Sequence, residues 1–264
     1  MQTFRLTCAL SAVVLLALAP CVVAQDAAAV PTLAPGDEGV DGSTLEPFFA
    51  RYSQTLVMGD QSQPAGHRTV VLSDANYPGG PGFKLTTTMI GPATVSDENQ
   101  FLAASFQPVA RLVSSLSVMH QVQVFSEGKC QGYQVAKDGT SGEAIDMAVE
   151  GARFDGGNLD LVIAKLPLAE GYRVQLPVFS SDFGPQLANL WSDVAVKGKE
   201  SVTVGGETYE AWVVEKTILD PSKKPLEMQG QAMPTFVSWL IAEAPYVVKT
   251  SMGPMQVELT QVLK

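Results

Sequence analysis

The sequence predicts an all-β protein: an antiparallel meander curled into an open or closed barrel, one domain set behind an amino-terminal export segment. Three observations carry that expectation. From residue 68 onward apolar residues recur at period two in short runs, each bounded by Gly, Pro, Asn or Asp. More than ten such runs follow one another with no convincing helical stretch between them, and a parallel crossover needs a dozen or more residues. A sheet of that many strands twists and curls on itself, which also hides its edges.

Residues 1–24 read as a secretory signal peptide. Arg5 supplies the positive end, residues 6–23 are almost wholly apolar or small, and Val22 and Ala24 precede a natural cut that leaves Gln25 as the mature start. The chain is therefore expected in the periplasm or outside the cell. The same run is near the lower length limit for a bilayer span, but Pro20 and the small-residue cleavage site argue against an anchor. Lipid attachment at Cys21 is the third reading: Leu18, Ala19, Pro20 and Cys21 partly imitate a lipobox, in which Pro20 fits poorly. No later stretch is long and apolar enough to span a membrane, so an integral membrane protein is not expected.

Residues 25–45, rich in Ala, Pro, Gly and acidic side chains, have the composition of a flexible linker. The β domain is expected over 46–264. Its entry, residues 44–58, carries Phe48, Tyr52 and Leu56 at helical spacing and reads as a short helix or turn followed by a strand. Strands at 68–73 and 83–90 flank a Gly- and Pro-rich loop over 74–82. Further strands are expected at 101–106, 111–125, 132–136 and 144–150, joined by turns at Gly128 and at Asp138-Gly139. The second half continues with 159–164, 172–179, 191–197, 209–218, 235–241, 246–250 and 255–262. Turns fall at Gly205-Gly206, Ala244-Pro245 and Gly253-Pro254.

Composition narrows the function classes. The 264 residues carry 17 basic and 27 acidic side chains, a net charge of -10, and there is no basic cluster, so nucleic acid is not an expected partner. Cys8 and Cys21 lie in the export segment, which leaves Cys130 alone and rules out an internal disulfide after cleavage. Beside an expected hairpin turn, Cys130 reads as a small packing residue rather than a nucleophile.

Two segments carry a family resemblance. One is the leucine-rich run 159–164 followed by LPLAEGY at 166–172 and LPVF at 176–179; the other pairs GGETYEAWVVE at 205–215 with PYVVK at 245–249. In this order they resemble the exported bacterial domain of unknown function numbered 3108, over roughly residues 68–264. The resemblance implies an antiparallel β domain rolled into an open barrel and exported to the envelope, and no catalytic residue. This chain lacks the peptidase or hydrolase region attached in longer relatives.

No chemistry motif stands out. His67, His120 and one mature thiol at unpaired spacing do not make a metal site, no GxSxG elbow exists, and no cofactor is implied. The oxygen-rich run 155–160 reads as a hairpin turn rather than a calcium loop. Aromatic residues concentrate in the last third, and Tyr209, Trp212, Phe236, Trp239 and Tyr246 are the candidate ligand contacts, although period-two aromatics also build cores. The leading expectation is a non-enzymatic envelope protein that binds an apolar or glycan ligand, or a partner protein, in the concave face of its sheet. Two alternatives are a hydrolase of envelope polymers with two convergent carboxylates, and a scaffold that docks to an outer-membrane partner through an exposed edge such as 255–262.

Overall fold

The computed structural model describes residues 29–91, 94–115, 119–136 and 141–263; the export segment expected over 1–24 lies outside them. The strands are β1 Phe48–Met58, β2 Gln61–Tyr77, β3 Gly80–Ile90, β4 Val95–Leu102, β5 Pro108–Ser115, β6 Met119–Ser126, β7 Lys129–Ala136, β8 Gly142–Ala148 and β9 Phe154–Asp155. The helix α1, Leu159–Ala164, follows a 3-10 turn at Gly156–Asn158. Then come β10 Arg173–Phe179, β11 Asn189–Val204, β12 Glu207–Leu219, β13 Glu227–Met228, β14 Gln231–Ala232, β15 Phe236–Leu240, β16 Val247–Met252 and β17 Met255–Leu263.

Fifteen strands form one sheet in the order β8-β7-β6-β5-β4-β3-β2-β1-β17-β16-β15-β12-β11-β10-β9, and β13 and β14 make a separate hairpin. The sheet is all-β and curled, and it is not closed by hydrogen bonds: β8 and β9 stand at its two ends. Every pairing in it is antiparallel except β9 with β10. Neighbours in the chain are neighbours in the sheet because most connections are tight turns. The turn between β11 and β12 is two residues long, with Gly205 and Gly206 both at positive φ (60° and 85°), the geometry whose twist matches paired strands.

The two halves of the curl meet through side chains. Asn189 donates to the Ala148 carbonyl and accepts from Glu150 N, both at 3.0 Å. Arg153 donates to the Leu190 carbonyl at 2.7 Å, and Phe125 meets Phe179 edge-on at 5.4 Å. A side-chain seam thus does what a backbone ladder does in a closed barrel.

Several expectations are corrected. Residues 159–164 form a helix: a six-residue apolar run is ambiguous by periodicity, and inside the curl it has no strand to pair with, so its backbone groups bond among themselves. Asp155 caps the preceding turn by accepting from Gly157 N at 2.7 Å, so 155–160 is a helix entry and not a hairpin turn. The loop expected over 74–82 is mostly ladder, with β2 and β3 paired up to Tyr77 and Gly80. Residues 111–125 form two strands, β5 and β6, rather than one. The entry at 48–58 is strand throughout. Strand β17 is no edge, because β1 returns to pair with it. The segment expected as a linker over 25–45 is docked from Pro31 onward: Gln175 exchanges bonds with Leu33 N and the Pro31 carbonyl, and Val40 and Leu45 are buried in the core.

The core lies inside the curl. Five of the six α1 residues are buried there, and each buried Leu, Ile or Val contributes roughly 1.5–3 kcal/mol. The stacked rings of Phe101 and Phe106, 5.5 Å apart, fill the space near the docked segment. On β6 the usual pattern is inverted: Gln121 and Gln123 are buried while Val122 and Val124 are about half exposed.

Candidate functional site

Asp160, the second residue of α1, is the hub of the interior. Lys216, from the inner face of β12, forms an ion pair with it, and the Ser238 hydroxyl on β15 donates to the same oxygen at 3.0 Å. Enclosure works against ionisation of Asp160, but Lys216, Ser238 and the nearby Arg68 of β2 hold its carboxyl below the usual carboxylate range.

Two hollows share Gly157 and Asp160 as walls. The outer one, a cleft of about 220 Å³, has apolar walls that include Val178, Leu190, Ile218, Met233 and Phe236, with Asp160, Lys216 and Asp182 as its charged members. The inner one, about 40 Å³, is bounded by Val70, Leu85 and Leu161 and by the polar groups of Tyr52, Arg68, Asn158 and Asp160. Tyr52 is committed elsewhere, donating to the Val247 carbonyl at 2.9 Å.

Next to the cleft lies a buried polar row. Cross-strand register places Asn99, Arg111 and Gln123 side by side on β4, β5 and β6. Arg111 is bidentate to Asp97 at 3.0 and 2.8 Å, and reaches Asp182 at 3.3 Å. Burial opposes its charge, yet Asp155, Asp97 and Asp182 together hold its proton more tightly than in a free guanidinium. Burial pushes the Asp155 carboxyl up to about 6, against the pull of Arg111 and the Gly157 N–H, with Asp97 and Asp182 adding to the rise. Among the described residues no cluster of three or more His, Cys, Asp or Glu has metal-ligand geometry.

Of the aromatic residues picked from sequence, Phe236 lines the cleft. Trp212 and Trp239 lie on opposite faces of the sheet, since Trp212 pairs with Leu240 and Val213 pairs with Trp239. Trp212 lies under Lys199, and the Trp239 indole donates to Glu200 at 3.0 Å. Tyr209 donates to Glu207 at 2.7 Å, which pushes its hydroxyl up to about 12. Tyr246 is buried and accepts from Glu46 N at 2.7 Å. His67 is on β2, and His120 contacts Ser114; both are exposed. Of the residues that line the hollows, Asn158 and Asp160 were read from sequence only as part of an oxygen-rich turn, and Arg68 and Lys216 were not singled out. Asp160 interrupts the apolar run LDLVIA, and Lys216 follows VVE where inward residues alternate.

The fold and its interior define an open, curled antiparallel sheet wrapped around a short helix with a charged hub. The sequence matches the family described as "Protein of unknown function (DUF3108)" over residues 51–260, and the chain belongs to that family. No curated protein matches it. Among solved structures it is similar to a Bacteroides fragilis protein of YmcC-like fold, at 9% identity and a TM-score of 0.33, covering 88% of this chain and 100% of that one.

Proposed function

We propose that this chain is an exported, non-catalytic binding protein that holds a small, largely apolar ligand in the outer cleft. The observation that carries this reading is the cleft itself: a wall of seven apolar side chains around one ion pair, Asp160 with Lys216, inside the curl of the sheet. Export rests on the signal-like pattern of residues 1–24, and amino-terminal sequencing of the mature protein tests it, with Gln25 as the expected first residue.

A hydrolytic role draws less support from the same geometry. Asp160 is spent on Lys216 and Ser238, and Asp182 on Arg111 and the Ser180 hydroxyl. The carboxyl with raised proton affinity, Asp155, is 2% exposed and caps a turn.

The direct test is mass spectrometry of the denatured extract of natively purified protein, compared with Phe236→Ala and Met233→Glu variants of unchanged circular dichroism. One small-molecule species per chain, lost in both variants, supports the cleft. An extract that is empty for the parent protein, or a species that survives both changes, defeats it.

A further inference from the structure

We infer that the inner hollow is a second binding site, specific for a carboxylate group, with Arg68 and Asn158 as its donors. It lies between β2, β16 and α1 and does not depend on the outer cleft being occupied.

Three observations converge there. Asn158 is 1% exposed, and both polar atoms of its amide lack any hydrogen-bond partner. The Nε of Arg68 is likewise enclosed and without a partner, and among the described residues no ion pair reaches that side chain. Buried donors and acceptors are costly to leave unpaired when water is kept away, so the hollow suits a polar occupant. Both residues bound the same space of about 40 Å³, enough for a headgroup or a few waters but not for a whole drug-sized molecule.

Charge and shape select the class. The carboxylate of Asp160 is already neutralised by Lys216 and supported by Ser238, so the charge of Arg68 is left over. One surplus cation facing an ionised Asp160 in the same wall suits a monoanion better than a phosphate dianion. A planar carboxylate offers two oxygens to two N–H donors, one on Arg68 and one on Asn158, and leaves the Asn158 oxygen for a co-bound water. The apolar neighbours Val70, Leu85 and Leu161 suit the carbon next to such a group. The carboxylate is supplied either by a free small acid or by the head of an acyl chain.

Calorimetric titration of the purified protein at pH 7 with acetate, decanoate, decanol and inorganic phosphate tests this. Binding of acetate identifies free small acids as the source, and binding of decanoate alone identifies acyl chains. In either case Arg68→Gln is expected to weaken binding about tenfold or more, and Arg68→Lys, which keeps the charge but loses the Nε donor, by an intermediate factor. Thermal melting shows whether each variant is folded; if Arg68→Gln is not, the Arg68→Lys result decides. Decanol binding as tightly as decanoate, phosphate binding more tightly than acetate, no binding of any probe, or unchanged affinity in the folded Arg68 variants overturns the proposal. Phe236→Ala separates the two sites: it should empty the outer cleft and leave carboxylate binding in place.

Discussion

The Nη2 of Arg111 on β5 lies 3.3 Å from Oδ2 of Asp182, a residue 71 positions further along the chain on the turn after β10. This contact crosses the mouth between the two halves of an open sheet. The same guanidinium is held by Asp97 on the neighbouring strand, so Arg111 fastens one half to the other from a braced position.

Replacing Arg111 with Met would leave Asp97 and the buried Asp155 without their counter-charge. The expected loss is about 3 kcal/mol, toward the lower end of what breaking a buried pair costs because Asp182 is partly solvated. Urea unfolding of R111M against the parent measures it; a loss under about 0.5 kcal/mol would show that the seam does not depend on this residue.

Asp155 gives the protein a pH dependence of definite sign. Its carboxyl is raised from 3.8 to about 6, so between those values the folded chain keeps a proton that the unfolded chain has lost. Stability from this group is highest below about pH 4 and falls as pH rises toward 6, by on the order of 2–3 kcal/mol. Asp155→Asn keeps an oxygen for Gly157 N and removes the titration. Its stability should lack that fall when chemical unfolding is followed from pH 4 to pH 7.

Gly157 is where the turn before α1 passes closest to β4. A Cβ at this position would sit 2.5 Å from the amide of Asn99, which is buried and donates to Asp97 at 3.1 Å. Gly157→Ala should therefore cost about 1–3 kcal/mol and reduce the room in both hollows, which Gly157 lines. A thermal melt together with ligand titration checks both effects; an unchanged melting temperature would mean that Asn99 swings aside freely.

Cys130 is fully buried, donates weakly to Gln123 Oε1 at 3.8 Å, and has its thiol pushed up to about 12 by burial, with Asp155 adding to the rise and Arg111 opposing it. It should resist alkylation by iodoacetamide in the native protein at pH 8 and react fully in denaturant. Rapid labelling of the native state would show that β6 and β7 open readily.

Most strands and many of their turns were legible because each depends on local chemistry, although the strand expected at 101–106 ends at Leu102 and belongs to β4, which begins at Val95. Gly205-Gly206 supplies two positive-φ residues between alternating runs, and Gly128 and Gly253 also mark turns at positive φ. The run 159–164 was not legible as a helix, since its apolar residues suit an enclosed strand as well as an enclosed helix. The docked segment before β1 was hidden by its Ala, Pro and Gly content, although Val40 and Leu45 were the anchors to notice. Of the aromatic candidates, Phe236 reaches the cleft, while the ionic hub of Asp160 and Lys216 joins residues 56 positions apart, which no local pattern links.

The sequence by itself determined that this chain is a long antiparallel meander of its family, because period-two alternation and Gly/Pro turns act within a few residues. Only the tertiary structure decided which face looks inward. On β6 the glutamines are buried and the valines exposed, because the inner face there meets Ser181 and Arg111 rather than an apolar layer. The position of Asp160, the side-chain seam and the two hollows likewise depend on how far the sheet curls. That curl is set by contacts between halves far apart in the chain, and no single strand carries its imprint.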